Sequence, residues 1–557
     1  MCGKEGKAVD ITSYDVSQLQ HLELKALMCL SMRPPHWHPP VELSAKEQQV
    51  VSRIRKAKLF IFLRQIRHQL FDQQFQTELA TLFKDSSVGK CPVSPAQLAL
   101  ALILQAYTGV SDDEVIEALE MDRRWQLVLN CLDGEQAPFS KATLVRFRAV
   151  LIAKGGDRKL VERTVEIAKD KGNFSATKLR AALDSSPLWG AARVEDTYNL
   201  LGHALRKALV VIARSSQRNL ASVSAEAGAE WVAASSLKAA LDLDWNNPVA
   251  KAQALSTILT ALDEVESWLQ ENSHLDAATS TQAQETLAIG RQVQAQDVEE
   301  ASDGSPKLRR GVAKNRRISI EDGQMRHGRK SRQQRFDGYK RHVLTDLELG
   351  VVRAVGITAA NEPEASVTDD IAADLKSQNV QLKELHIDRA YLNSTMVKQR
   401  SQDLTIVCKA WPVRNGKHFT KDAFTLNWEQ GLIYCPNQVA VPFETGKVAH
   451  FPAAVCAQCP LQQQCTSSQS GRSVSIHAEE PLLQELRQRQ LTAMGRAKLR
   501  QRVAVEHTLA RVGQWQGDRA RYIGVRKNLF DLRRMAVVHN LHVIARMSQA
   551  TVEASAG

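Results

Sequence analysis

The sequence lacks any long apolar run that is free of charge. No window of about 18 or more residues is both apolar and uncharged, whereas a membrane-spanning helix needs roughly 20 such residues. The first residues, MCGKEGKAVDITSYD, are polar and mixed in charge, so they contain no apolar core of a secretory signal. We therefore expect neither membrane insertion nor secretion.

Cysteine is sparse outside one segment. The chain has nine cysteines, an odd number, and five of them are isolated in sequence. Those five are Cys2, Cys29, Cys91, Cys131 and Cys408. Without a secretory signal, this pattern argues against a disulfide framework and is typical of a reducing compartment.

Acidic residues are scarce in two segments of a chain whose formal net charge is +12. Residues 307–341 contain thirteen Lys and Arg against three acids, and residues 487–534 form a second basic stretch around Glu506. A basic surface that only serves solubility is the alternative interpretation. Charge concentrated in two segments instead favours a polyanionic partner, and nucleic acid first among them.

The length of 557 residues indicates several domains. Helical spacing of apolar residues dominates the first part and the end, and strands alternate with helices between. The predicted divisions are an N-terminal extension with a Pro-rich connector (1–43), a helical N-terminal DNA-binding domain (44–160), an α/β catalytic core (175–194, 305–410 and 481–547), a helical insertion grading into a linker (195–304), and a Cys-rich insertion (411–480).

Three carboxylates stand out by their positions. Asp184 is predicted to close the strand in TKLRAALDSS, and Asp388 to close the strand in KELHIDRAY. Glu506 is predicted to lie inside a long C-terminal helix. Strand ends at one edge of a sheet can meet a helix packed across it, so we expect the three acids to converge.

A converging set of acids suits phosphodiester chemistry. Two Mg²⁺ ions about 4 Å apart can activate the attacking oxygen and stabilise the leaving one, and carboxylates are the ligands that Mg²⁺ prefers. Each acid also has a structural interpretation. An Asp at a strand end is commonly a turn residue, and Glu506 lies one helical turn after Arg502, where a salt bridge alone would explain it.

Five blocks of sequence together resemble bacterial insertion-sequence transposases of the DDE type. They cover most of residues 90–545 and begin with CPVSPAQLALALILQAYTGVSDDEVIEAL and FSKATLVRFRAVL. LDSSPLWGAARVEDTYNLL resembles the segment of the first catalytic acid, Asp184, and HIDRAYLNS that of the second, Asp388. RRISIEDGQMRHGRKSRQQRFDGYKRHVLTD resembles the basic stretch before the second strand, and RQRVAVEHTLARVGQW the C-terminal signature with Glu506.

The resemblance implies an RNase H-like mixed-sheet core, with an all-α N-terminal domain and two insertions. It implies an enzyme that cleaves and joins DNA at terminal inverted repeats with two Mg²⁺ or Mn²⁺ ions. Its partners would be double-stranded DNA, both the repeat ends and the target, bound by a homodimer or a higher multimer. The enzyme would act in the cytoplasm, at the nucleoid. Related transposases carry a Tyr-x2-Arg-x3-Glu-x6-Lys signature. Arg502 and Glu506 fit it, whereas Leu499 and Gly513 stand at the Tyr and Lys positions.

The clustered cysteines predict a structural metal site. Four thiolates can hold Zn²⁺ tetrahedrally, and such a closed site has no position open for catalysis. Four buried or free thiols are the alternative. The predicted zinc ligands are Cys435, Cys456, Cys459 and Cys465.

Basic residues in the two positive segments are the predicted DNA contacts, since phosphate binding depends on cations and not on base sequence. They are Arg326, Arg329, Lys330, Arg332, Arg335, Lys340, Arg341, Arg502, Arg526 and Lys527. Base reading is expected from the N-terminal helices, with Arg146 and Arg148 as candidates or else as helix-surface charges. Trp515 and Tyr522 are candidates for base stacking or for the core.

Two other functions remain compatible with these residues. A DNA-binding protein derived from a transposase would keep the basic segments and need no acids, so the presence of all three disfavours it. A nuclease of the same fold would cut DNA without joining it to a target.

Overall fold

A computed structural model describes residues 34–83, 92–134, 136–172, 178–272 and 275–556. Most of the predicted N-terminal extension lies outside these ranges, as do Cys2, Cys29 and Cys91. In chain order the strands are β1 Lys178–Trp189, β2 Val298–Glu300, β3 Pro306–Leu308, β4 Arg326–Arg329, β5 Arg335–Asp346, β6 Val352–Ala359, β7 Gln381–His386, β8 Thr405–Val407, β9 Thr425–Asn427, β10 Leu432–Tyr434, β11 Ala440–Pro442, β12 Val448–His450 and β13 Ser473–Ser475.

The same ranges are rich in helix. The α-helices are α1 Ala45–Arg53, α2 Lys58–Leu70, α3 Gln73–Ala80, α4 Pro95–Thr108, α5 Asp112–Met121, α6 Arg123–Leu129, α7 Lys141–Lys154, α8 Gly156–Lys171, α9 Thr197–Ser215, α10 Leu220–Glu226, α11 Leu237–Ala240, α12 Pro248–Glu271, α13 Ala277–Asp297, α14 Thr368–Ser377, α15 Thr395–Lys398, α16 Ala453–Ala457, α17 Gln462–Cys465, α18 Glu480–Leu491, α19 Ala493–Arg500, α20 Val503–Gln516 and α21 Val525–Ala556. Short 3₁₀ turns lie at Glu230–Ala233, Glu364–Val367, Arg389–Tyr391 and Lys421–Ala423.

The central sheet is mixed. Its strands follow the order β4-β5-β1-β7-β8, and β6 pairs with the same strand β5. β1 is antiparallel to β5 and parallel to β7, and β7 is parallel to β8. Three antiparallel strands extended by parallel ones, with helices packed on the sheet, form the RNase H-like core that the sequence predicted.

β5 and β6 form an antiparallel hairpin whose tight turn contains Leu349 and Gly350. Gly350 adopts a φ of 70°, a left-handed conformation that glycine reaches without steric cost. Every residue of β6 is buried, in keeping with a strand that is apolar except for Arg353 and Thr358. The pair Asp346 and Arg353 is fully buried in the hairpin, with 2.7 Å between guanidinium and carboxylate.

The N-terminal helices share one hydrophobic core with this sheet. α21 packs against β6 on one side and against α8 and α4 on another. Its buried apolar residues include Phe530, Val538 and Leu541. Asp157, at the start of α8 and only 1% exposed, forms ion pairs with Arg526 and Arg533 of α21. The helical region and the α/β core are therefore held together by apolar packing and by buried charge.

The insertion forms a second hydrophobic core, built from α9, α12 and α13. The sequence predicted that its later part grades into a linker, and this was wrong. α13 continues to Asp297, and the hairpin of β2 and β3 follows it. Its apolar residues are few and small, but Gly290 lets the helix approach Leu262 and Ala204 closely. Close packing of small residues stabilises a helix that hydrophobicity alone does not indicate.

The cysteine segment is built from short strands around its own small core. β9, β10 and β11 form one antiparallel sheet, and β12 and β13 form a two-stranded ribbon. Phe424, Ile433 and Phe451 lie between them. In the described ranges no helix is long and apolar enough to span a membrane.

Candidate active site

Asp184 lies on β1, and Asp388 follows the neighbouring strand β7 at about the same level of the sheet. The parallel pairing of β1 with β7 ends at Ala182 and His386, and the same register places Asp184 opposite Asp388 two residues later. The sequence predicted that Asp184 closes its strand, and this was wrong. β1 continues to Trp189 because it pairs with the long strand β5 on its other side. Asp388 follows β7 and caps the next 3₁₀ turn through the Arg389 N–H.

Glu506 reaches the same region from a helix. It lies in the first turn of α20, a helix separate from α21, and not inside one long C-terminal helix as the sequence predicted. Gly517 ends α20 with a φ of 79°, and residues 518–524 lead to the next helix. Val505, Leu509 and Val512 are buried where α20 packs on β1 and β5.

Arg502 joins two of the three acids. One guanidinium nitrogen lies 2.7 Å from Asp184 Oδ2, and the other lies 2.8 Å from Glu506 Oε1. The i,i+4 salt bridge that offered a structural interpretation of Glu506 is therefore present, but the same guanidinium also holds Asp184. The arginine lies between β1 and α20, and its guanidinium bonds to one carboxylate from each element.

The pKa of Asp184 depends on its burial and on the charged groups around it. Burial raises its pKa, and the negative charges of Asp388 and Glu506 raise it further. Arg502 and the Ser185 N–H act in the opposite direction, yet the pKa remains above its ordinary value. A carboxylate responds to other charges in this way only when they lie nearby, so the three acids share one electrostatic environment.

The side chains are oxygen donors, as Mg²⁺ requires, but two of them are engaged by Arg502. In the ranges described, no three His, Cys, Asp or Glu side chains are arranged so that they could hold a metal ion as they stand. A guanidinium and a divalent cation compete for the same carboxylate lone pairs. The donor set therefore fits a hard cation, provided that Arg502 turns away.

An ionic network centred on buried Glu384 lies beside the acids, and the sequence analysis missed it. Glu384 of β7 accepts from Arg180 of β1 at 2.8 Å, from Lys498 of α19 at 2.6 Å and from His386 at 2.8 Å. Arg180 also donates to Gln501, next to Arg502. These partners lower the Glu384 pKa to about 2, although burial acts to raise it.

The spacing of this network carried a signal. Arg180 and Glu384 each precede a candidate acid by four residues, and residues four apart in a strand point to the same face of a sheet. The network therefore lies on the sheet face that carries Asp184 and ties it to the segment preceding Arg502. His386, two residues after Glu384 and therefore on the same face of the strand, is buried and bonded to Glu384.

The two departures from the transposase signature have different surroundings. Leu499 is half-buried and lines a cleft with Met494 and Cys408 beside the edge strand β8. At Gly513, an added Cβ would come within 3.1 Å of the Arg341 guanidinium. Any larger side chain at position 513 must displace that group, which is 4% exposed and bonded to Ser186, Gln516 and Gly517.

Several predicted DNA contacts lie together on one hairpin. The β4–β5 turn carries four exposed cations whose side chains have no hydrogen bond or ion pair to any described residue. They are Arg329, Lys330, Arg332 and Arg335. Lys527 is also exposed and unpaired within the described ranges.

Other residues predicted to contact DNA instead form hydrogen bonds or ion pairs within the protein. Arg326 donates to backbone carbonyls of Gly323 and Met325. Lys340 donates to the Glu362 carbonyl at 2.7 Å. Arg526 bonds to buried Asp157, and Arg341 is buried as described above.

The side chains that were candidates for base reading or base stacking also differ in their exposure and in their contacts within the protein. Arg146 is exposed on α7, whereas Arg148 is buried and donates to Asp112 at 2.6 Å and to the Tyr522 hydroxyl at 2.9 Å. Trp515 stacks on His542 with 5.2 Å between ring centres. Trp515 and Tyr522 both pack against the main core, in agreement with the alternative interpretation of these aromatics.

The four clustered cysteines line one small cavity, together with Arg472 and Phe451. All four are free thiols. Burial raises the Cys465 pKa, and the charges of the other three thiols raise it further, while Arg472 lowers it. The cysteines therefore lie within electrostatic range of one another, as a shared ligand set requires, although they do not form a ready metal site.

Two family models match the chain. One, described as "Transposase DDE domain", matches residues 434–545, a range that contains the cysteine segment and Glu506. The other, described as "Transposase domain (DUF772)", matches residues 49–150. Neither range contains Asp184 or Asp388. No curated protein and no solved structure matches the chain.

Proposed function

We propose that this chain, which belongs to the insertion-sequence DDE transposases, cleaves DNA at terminal inverted repeats and joins the freed ends to target DNA. Asp184, Asp388 and Glu506 are the proposed catalytic residues. The observation that carries the proposal is the guanidinium of Arg502, which holds Asp184 and Glu506 at 2.7 and 2.8 Å, beside the register position of Asp388.

The proposed chemistry follows from the donor set. Mg²⁺ or Mn²⁺, two ions when bound, would activate the attacking oxygen and stabilise the leaving one. Asp184 and Asp388 would hold the ions, because both project from the sheet at the same level. Glu506, 48% exposed at its side chain, would complete the site from the helix and orient the nucleophile, water for cleavage or a 3′-OH for strand transfer.

Arg502 has a proposed role in both states of the site. Without metal, its guanidinium offsets the repulsion between Asp184 and Glu506. If cations were held by those carboxylates, the guanidinium would be free to contact a DNA phosphate, which its planar fork suits. This assignment combines the salt bridge in the structure with the DNA contact predicted from sequence.

The proposed partner is double-stranded DNA, bound by a homodimer or a higher multimer in the cytoplasmic nucleoid. The exposed cations of the β4–β5 hairpin support this partner, because they have no described counter-charge and lie on an extension of the strand that pairs with β1. They are proposed to contact phosphates, so their contribution to binding falls steeply with salt.

A structural zinc site in the cysteine segment is the remaining part of the proposal. Cys435, Cys456, Cys459 and Cys465 would be its ligands, since they line one cavity and none is in a disulfide. Zinc would cross-link short strands that surround only a small apolar core.

The deciding experiment is metal-dependent cleavage and joining of DNA that carries the element's inverted repeats. Asp184→Asn, Asp388→Asn and Glu506→Gln should each abolish cleavage while DNA binding persists. Asp403→Asn, an exposed acid away from the site, is the matched control and should cleave like the wild type. Full cleavage by any of the three variants would refute the assignment.

The same assay separates the alternatives. Cleavage without joining to a target plasmid would identify a nuclease of this fold. DNA binding without metal-dependent cleavage by the wild-type protein would identify a non-catalytic derivative.

A further inference from the structure

A further concentration of positive charge lies in the N-terminal helices, outside the two basic segments at 307–341 and 487–534. The loop between α1 and α2 and the start of α6 enclose a cleft of about 320 Å³. Eight residues line it, five of them basic and none acidic. They are Val50, Arg53, Ile54, Arg55, Lys56, Ala57, Arg123 and Arg124.

Four of the five cations have no counter-charge. Arg53, Arg55, Lys56 and Arg123 are exposed, and their side chains make no hydrogen bond or ion pair with the residues that the structure describes. Arg124 differs, since it pairs with Asp122 at 2.6 Å and lies over the Phe60 ring. Like charges gathered around one cleft repel one another, so the arrangement disfavours an empty cleft and favours an anion.

The floor of the cleft gives these cations a fixed base. Val50 and Ile54 are 6% and 8% exposed and belong to the main core. Ser44 caps α1 with a complete capping box, and Glu47 of the same helix bonds to buried Arg64 of α2. The loop from Ile54 to Ala57 is therefore held at both ends, and its basic side chains project from a rigid support.

We propose that this cleft binds the phosphate backbone of duplex DNA. The inference rests on the proposed DNA substrate and adds a second contact, on the helical region. A row of phosphates presents repeated negative charge to several cations at once, whereas a single small anion would leave most of them unpaired. The cleft positions the DNA, and sequence reading is left to other residues, because backbone contacts carry no base information.

The test compares two charge-matched double variants of the full-length protein. Arg55→Gln/Arg123→Gln removes two cations from the cleft, and Arg214→Gln/Lys251→Gln removes two exposed, unpaired cations from the helical insertion, within the described ranges. Binding to a repeat-end duplex is measured by fluorescence anisotropy without divalent metal, over a series of salt concentrations.

The cleft variant should bind roughly tenfold or more weakly at about 0.1 M salt, and its slope of log affinity against log salt should fall by about 2. The insertion variant should match the wild type. Equal affinity and slope for the cleft variant, with a wild type that binds DNA, would overturn the cleft alone. A wild type that binds no duplex would overturn the proposed function as well.

A second measurement needs no variant. Bound duplex should slow the reaction of Lys56 with an amine-directed reagent, while Lys251 reacts at an unchanged rate. Unchanged reactivity of Lys56 under saturating duplex would contradict the proposal. Free inorganic phosphate at the same concentration of anions should not protect Lys56, and protection by phosphate equal to that by DNA would identify an adventitious anion site.

Discussion

Arg502 donates a hydrogen bond of 2.7 Å to Asp184, although 318 positions separate the two residues in the chain. Both side chains are mostly buried, at 29% and 16% exposure. The same arginine holds Glu506, so one protein cation engages two of the three acids. Binding of the proposed Mg²⁺ or Mn²⁺ would therefore exchange one cation for another.

Removing this guanidinium should strengthen metal binding in the absence of DNA. In Arg502→Gln, a metal ion no longer has to displace a guanidinium from Asp184 and Glu506. An ion pair of this exposure stabilises a protein by about 1 kcal/mol or less. We expect Mn²⁺ to bind about 3- to 10-fold more tightly, measured by electron paramagnetic resonance titration. Arg500→Gln, an exposed neighbour, is the control and should bind like the wild type. Unchanged or weaker Mn²⁺ binding by Arg502→Gln would show that the ion pair does not compete with metal.

Glu384 should act as a positioning residue for the site. In Glu384→Gln, Arg180 and Lys498 lose a shared carboxylate, so the segment before Arg502 is held less firmly on β1 and β7. We expect the free energy of unfolding to fall by about 1–3 kcal/mol, because Arg180 keeps Glu348 and Lys498 can be rehydrated. The concentration of Mg²⁺ for half-maximal cleavage should rise several-fold.

The control for this prediction is Glu348→Gln. Glu348 bonds to the same Arg180 but its side chain is 38% exposed, so its loss should change neither stability nor metal requirement by much. A Glu384→Gln protein that is less stable but has an unchanged Mg²⁺ requirement would show that the network supports the fold and not the site.

His342 should make the protein sensitive to acid. It is fully buried, and burial lowers its pKa to about 3, with Lys340 contributing. An unfolded histidine titrates near 6.5, so between these values the unfolded chain takes up a proton that the folded chain does not. The stabilisation is complete above pH 6.5 and is lost as pH falls, by up to about 1.4 kcal/mol for each pH unit.

The measurement is urea unfolding at pH 7 and pH 5. His342→Gln is expected to be less stable at pH 7, because it loses the contacts with the Tyr391 and Thr358 hydroxyls, but to lose less stability on acidification. His36→Gln, at a partly exposed position, should keep the pH dependence of the wild type. Equal pH dependence in all three proteins would exclude His342 as its source.

The cysteine segment should retain about one zinc ion for each chain after purification. Cys459→Ser should lower the zinc content measured by atomic emission, because three thiolates hold the ion less tightly than four. Cys131→Ser is the control, since Cys131 is half-buried in the helical region and far from the cluster in sequence. Equal zinc content in both variants, or none in the wild type, would leave the four cysteines as plain thiols.

Local patterns in the sequence determined much of the architecture. Strand–helix alternation predicted a mixed α/β sheet, and the family resemblance implied its RNase H-like form; the structure confirms both. The resemblance to insertion-sequence DDE transposases agrees with the transposase-domain models that match residues 49–150 and 434–545. These inferences succeeded because apolar periodicity and short motifs depend on residues that are close in the chain. The metal ligands and DNA contacts stay predictions.

Only the tertiary structure decided how the candidate residues meet. No local pattern shows that β1 continues past Asp184, because the strand is extended by pairing with β5, more than a hundred residues later. Nor does it show that Arg502 reaches Asp184, or that Arg341 occupies the space beside Gly513. Such contacts depend on strand register and on the packing of α20 against the sheet, and these are set by the whole core at once.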